Sequence, residues 1–145
     1  MQANFHPRPV RKALSNAAPR KTDVLILGAG AAGLMCAREA SAHGLDVALL
    51  ERAPSPGRKL CISGGGKANF TNRRLAAHHY ACADPSFCEP ALDAFTPQDM
   101  ERLVHGWGLP VEERAHGQLF LTVPAKRLLD ALVQGQFSTA WDAFL

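Results

Sequence analysis

The chain has no Cys-x-x-Cys pair, no long apolar run and no basic body, and each absence removes a class of function. Its four cysteines, Cys36, Cys61, Cys82 and Cys88, show neither metal-ligand spacing nor a redox pair. They read as reduced cytoplasmic thiols rather than as a disulfide framework. His78 and His79 lie close to Cys82, but no third and fourth ligand follow at suitable spacing, so no metal is expected. The longest strongly apolar stretch without charge, Val24 to Ala37, is broken by three glycines. It falls short of the roughly 20 residues that cross a bilayer. No apolar secretory core opens the chain. These readings predict a cytoplasmic protein with no membrane partner.

Charge is unevenly placed. Residues 1–21 hold Arg8, Arg11, Lys12, Arg20 and Lys21 and no acid, which leaves eleven cations against thirteen acids in the remainder, a net of −2. Such a body gives no electrostatic footprint for nucleic acid, so none is expected as a partner. Pro7, Pro9 and Pro19 interrupt any amphipathic helix in the basic arm, which reads as disordered. The 145 residues are 47% apolar and 20% charged, as in an ordinary globular domain with one core. There is no internal repeat or low-complexity tract.

The apolar run Thr22 to Leu27 ends in glycine and predicts a buried parallel strand. Ala31 to His43 is rich in Ala, Leu, Met and Arg and predicts a helix stopped by Gly44. Asp46 to Glu51 predicts a second buried strand, completing a βαβ unit. Pro54, Pro56 and Gly57 open a long irregular segment reaching about Asn72. Thr96, Pro97 and Asp99 form a helix-start signal, and Met100, Leu103, Val104 and Trp107 share one face of the helix that follows. Gly108 ends it. Leu119 to Val123 predicts a strand, and Pro124 begins a helix that turns Leu128, Leu129, Leu132 and Val133 inward. Gln134 to Leu145 shows no clear period.

Gly28-Ala29-Gly30-Ala31-Ala32-Gly33 is a GxGxxG sequence between the first strand and the helix. Its glycines serve the tight turn, the approach of a pyrophosphate and close helix–strand packing, while the helix start offers N–H groups to phosphate. Glu51, 18 residues past Gly33, ends the second strand, where an acid accepts from a ribose hydroxyl. The same acid disfavours a 2′-phosphate, although Arg52 adjoins it. The alternative is a ligand-free turn with Glu51 as a solvated charge. Spacing does not separate FAD from NAD. Ser63-Gly64-Gly65-Gly66-Lys67-Ala68 has the look of a P-loop, but Cys61 stands where that motif needs Gly and Ala68 where it needs Ser or Thr, so no hydroxyl awaits magnesium.

The segment GRKLCISGGGKANFTN, Gly57 to Asn72, together with the preceding glycine turn, resembles the signature of the BaiN/RdsA-type (YhiN-like) NAD(P)/FAD-dependent oxidoreductases. The resemblance continues through Gly108-Leu109 and His116 to Phe120 as far as Ala125-Lys126, and covers about residues 22–133. It implies an α/β, Rossmann-like FAD/NAD(P)-binding domain, here incomplete, over residues 22–145. It implies that Gly28, Ala29, Gly30, Ala31, Ala32 and Gly33 hold the FAD pyrophosphate and Glu51, beside Arg52, the adenosine ribose. Arg58, Lys59, Ser63, Gly64, Gly65, Gly66 and Asn69 border the cofactor in the same reading, and Thr71 and Asn72 shape the loop. The competing reading makes Arg58 and Lys59 solvated cations and Asn69 and Asn72 turn caps.

Two departures from the pattern stand out. Many members carry Cys where this chain has Ala68, and no cysteine pair supports disulfide-reductase chemistry. Members also continue to a second FAD-contacting segment absent from these 145 residues. The resemblance therefore implies a truncated form of a flavoprotein that moves reducing equivalents between NAD(P)H and a small organic substrate. The alternatives are a non-catalytic dinucleotide-binding fragment and, more remotely, an NAD-binding module. No residue stands out as catalytic acid or base, and substrate and oligomeric state are left open.

Overall fold

The computed structural model describes residues 21–81, 83–134 and 142–143. The basic arm up to Arg20, Cys82, Trp141 and most of the tail beyond Gln134 lie outside the described residues. The elements run β1 (Val24–Leu27), α1 (Ala31–Ala42), β2 (Val47–Glu51), α2 (Arg58–Gly66), β3 (Asn69–Asn72), α3 (Glu89–Ala94), α4 (Pro97–Gly106), β4 (Val111–Glu113), β5 (Gln118–Leu121), α5 (Lys126–Val133) and β6 (Asp142–Ala143). Length and composition favour one core, yet the chain divides into two compact units, Met1–Arg58 with Leu132–Leu145, and Lys59–Ala131.

The first unit is the expected strand–helix–strand. β1 and β2 pair in parallel from Val24↔Val47 to Leu27↔Leu50, and the two residues of β6 pair in parallel with β2. The Thr22 hydroxyl donates to the Asp46 carbonyl (2.6 Å), and the Asp46 N–H donates to the Asp23 carboxylate (2.9 Å), so the two strands start in register. α1 buries Leu34 and Ala37, one helical turn apart, and β2 buries Val47 and Leu49 on one face. A buried leucine contributes about 2 kcal/mol by leaving water. α1 closes with the Gly44 N–H on Ser41 O (2.9 Å) and the Leu45 N–H on Ala40 O (3.2 Å), the paired bonds of a Schellman motif.

β1 differs from the buried strand its composition predicts. Its burial alternates, with Leu25 58% and Leu27 78% exposed. Val24 and Ile26 share the more sheltered face, where Ile26 approaches α1, while the opposite face meets water.

The second unit is an antiparallel sheet in the order β3-β5-β4. β5 is central, and Leu119, Phe120 and Leu121 are all buried. α4 starts as its sequence predicts. The Thr96 hydroxyl oxygen accepts from the Asp99 N–H (3.2 Å), and the Asp99 carboxylate accepts from the Thr96 N–H (2.9 Å). It ends in a second Schellman closure, Gly108 N–H on His105 O and Leu109 N–H on Val104 O. Arg73, just past β3, grips both Glu101 carboxylate oxygens and donates from Nε to Glu113, joining β3, α4 and β4. Three of the four inward positions predicted for the last helix hold in α5, where Leu128, Leu129 and Leu132 are buried, while Val133 is half-buried. The segment expected to be irregular contains structure: a helical turn from Arg58, a glycine turn and β3. Its Pro and Gly density masks the short helix-forming stretch Arg58 to Ile62.

Candidate dinucleotide site

The chain leaves β1 through Gly28, whose N–H donates to Leu50 O (2.7 Å) and so anchors the turn to β2. Ala29 is fully buried. Gly30 is the N-cap of α1 with extended backbone, and its carbonyl takes the first helical bond from the Leu34 N–H (2.9 Å). Among the described residues no side chain caps α1, and no acid sits in its first turn. A Cβ at Gly30 would meet nothing within 4 Å. The N–H groups of Ala31, Ala32 and Gly33 therefore open a helix whose positive end its own side chains leave uncovered. Gly33 serves packing instead: a Cβ there would stand 2.0 Å from Gly28 O. An open glycine, an uncapped helix start and a close-packed third glycine fit a pyrophosphate.

Glu51 lies at the end of β2 beside this turn. Its Oε2 accepts from the Ala29 N–H and its Oε1 from the Ala53 N–H, both at 2.7 Å. These donors, Ala53 first and Ala29 second, hold its pKa below the usual carboxylate range, against a smaller opposing effect of burial. The carboxylate is thus ionised and fixed in direction, and each oxygen keeps a lone pair for a hydroxyl donor. Gly57, not among the expected site residues, is buried and donates its N–H to Ala29 O (2.8 Å). The single turn is held from three sides, by Leu50, Glu51 and Gly57. Arg52 and Arg58 are exposed.

The remaining expected site residues, Lys59, Ser63, Gly64, Gly65, Gly66 and Asn69, belong to the second unit. Regular helix stops at Ser63 (ψ 147°), whose hydroxyl donates to Leu60 O (2.7 Å). Gly64, Gly65 and Gly66 then turn left-handed with φ of 57°, 66° and 83°, and buried Ala68 follows at φ 49°. Side chains rarely adopt this conformation, and glycine does so without strain. The Ala68 N–H returns to Ser63 O (3.0 Å) and closes the turn. The Asn69 amide, oriented so that its nitrogen faces carbonyls, donates to Thr71 O and Leu119 O at 3.2 Å each. Asn72 accepts from the Arg74 N–H and donates to His116 O. Both asparagines thus have structural roles in addition to any toward a ligand. Lys59 is exposed.

The glycine turn has partners no local pattern announced. The Ala125 N–H donates to Gly66 O (2.8 Å), the Leu121 N–H to Lys67 O (2.9 Å), and Lys67 Nζ to Thr122 O (2.7 Å). Leu121 and Thr122, directly after the GQLF stretch, and Ala125 are therefore the backing of the triple-glycine segment.

Comparison with known proteins adds kinship to this geometry. The profile of the HI0933-like protein Rossmann domain family matches residues 22–139. The chain is 41% identical over 111 residues to the ribosomal RNA dihydrouridine synthase of Escherichia coli, a match covering 77% of this chain and 28% of that protein. It is 38% identical over 108 residues to the protein of the same name from Haemophilus influenzae, covering 74% and 27%. A 3-dehydro-bile acid delta(4,6)-reductase of Clostridium scindens is 35% identical over 72 residues, covering 48% and 18%. The chain thus spans less than a third of the length of these relatives. Among the described residues, no helix is long and apolar enough to cross a membrane.

Proposed function

This chain belongs to the HI0933-like Rossmann-domain family, and from that premise we propose that it carries the pyrophosphate turn of an FAD-dependent oxidoreductase. One observation carries the reading: α1 begins at an open glycine with no cap of its own, beside a carboxylate already ionised and aimed. In this reading the N–H groups of Ala31, Ala32 and Gly33 receive the pyrophosphate, and Gly28 and Gly30 give it room. Glu51 accepts from the adenosine ribose and disfavours a 2′-phosphate by like charge. Ser63 to Gly66, with Arg58, Lys59 and Asn69, borders the same cofactor, as the resemblance implies. FAD supplies the redox chemistry, exchanging reducing equivalents between NAD(P)H and an organic substrate; the protein binds and orients it.

The substrate class follows the relatives. Two of them are named for dihydrouridine synthesis in ribosomal RNA, and this favours RNA over the small molecule and the absence of nucleic acid that net charge predicts. The five cations of residues 1–21 are then available to phosphates. Such a substrate places the protein in the cytoplasm. The second reading is dinucleotide binding without turnover, and the water-facing leucines of β1 are the observation that favours it.

The test is the visible spectrum of the purified chain, with flavin released on denaturation, followed by an FAD titration. A yellow protein, or saturable binding of added FAD, supports the reading. A colourless chain that does not bind FAD overturns it. Flavin binding without NAD(P)H oxidation selects the non-catalytic alternative.

A further inference from the structure

The triple-glycine turn raises a physical problem. Three consecutive glycines have more conformational freedom to lose than any other tripeptide, so their left-handed arrangement has to be imposed from outside. Hydrogen bonds reach the two ends of the turn: Ala68 N–H on Ser63 O, Lys67 N–H on Gly64 O (3.3 Å), and Ala125 N–H on Gly66 O. Its leading residue meets a side chain. A Cβ on Gly64 would stand 2.6 Å from Cε1 and 3.0 Å from Cδ1 of Phe120, and 2.7 Å from the Asn69 nitrogen. The ring edge of Phe120 thus lies flush against the Gly64 backbone.

Phe120 is itself fixed. It is buried in the central strand β5, opposite Asn69 on β3 and Glu112 on β4. Its ring carries the Arg114 guanidinium at 4.0 Å from the centroid, and that guanidinium is held by the Glu112 carboxylate. A paired cation, a ring and a glycine stack in order, all within the second unit.

From this stack we infer that Phe120 is a positioning residue for the triple-glycine turn: its ring selects the left-handed form of Gly64 and so preorganises Gly64 to Gly66 before any ligand arrives. The ring and the Asn69 backbone nitrogen together set the size limit at position 64, because they fill the volume a side chain would need. The inference rests on the proposed flavin reading only where it concerns affinity; the shape of the turn is measurable without a ligand.

The experiment uses the full chain labelled with 15N-glycine, comparing the unsubstituted protein with Phe120→Leu, which keeps an apolar side chain in β5 but removes the ring. The HN–Hα couplings of Gly64, Gly65 and Gly66, which follow φ rather than the lost ring current, are expected to change while those of Gly106 and Gly108 in the same unit stay in place, and FAD affinity is expected to fall about tenfold through lost preorganisation. Unchanged Gly64 to Gly66 couplings would overturn the inference, as would an equal change at Gly106 and Gly108, the mark of general destabilisation of the second unit. If Phe120→Leu does not fold, Phe120→Met, a better volume match, is read by the same criteria. If the unsubstituted chain binds no FAD, the flavin reading fails and the glycine couplings alone decide this one.

Discussion

α1 and α4 end alike and begin differently. Both close with a Schellman motif, Gly44 and Leu45 for one, Gly108 and Leu109 for the other. At the opposite end, α4 satisfies its own N–H groups through Thr96 and Asp99, whereas α1 starts at bare Gly30. A capped start closes a helix to ligands and stabilises the fold. A start at a bare glycine gives up about 0.3 kcal/mol of stability and leaves donors for an anion. The chain uses both solutions, and α3 likewise begins without a side-chain cap, so a bare start alone does not mark a site; at α1 it is joined by the open Gly30 and the nearby Glu51 carboxylate, on which the proposed ligand reading rests.

The contrast can be broken at five places. Gly33→Ala brings a Cβ to 2.0 Å of Gly28 O and is expected to cost about 3 kcal/mol or to prevent folding of the first unit, since backbone blocks its relief. Urea unfolding by circular dichroism measures this. Gly30→Asp makes α1 resemble α4. The backbone there is extended and a Cβ meets nothing, so the new carboxylate caps the helix, raises stability by about 0.3 kcal/mol and repels a pyrophosphate, with FAD affinity falling about tenfold. Unchanged affinity would detach the turn from the ligand. Thr96→Ala sharpens the comparison from the other side: stability is expected to fall by about 1 kcal/mol with no change in FAD binding.

The smallest effect is on acid stability. N–H donors depress the pKa of Glu51, and the Thr96 hydroxyl and N–H depress that of Asp99. A carboxylate with a lowered folded pKa contributes fully above its unfolded pKa. That contribution disappears as pH falls through the lower folded value. Glu51→Gln is therefore expected to flatten the loss of stability on acidification below the ordinary carboxylate range, and Asp99→Asn likewise, as read by thermal melts across a pH series.

Much of this was legible in the sequence because the signals are local. The boundaries of β1, α1 and β2 fall within two residues of those read from periodicity and glycine placement, and the Thr96–Asp99 start of α4 was spelled out in four letters. What escaped depends on contacts between distant segments. Nothing near Glu51 announces that its oxygens hold the Ala29 and Ala53 N–H groups. Nothing near Gly64 announces the Phe120 ring, although the GQLF stretch that carries it was recognisable by resemblance. The all-apolar β1 also misled, since composition predicts two buried faces and the described structure shelters one.

That half-sheltered strand has a practical consequence. Leu25 and Leu27 present to water the kind of surface that meets its own likeness in concentrated solution. The chain's solubility, more than the strength of any cofactor contact, then sets how high a concentration a binding measurement can reach. Salts that drive apolar groups together lower that ceiling further.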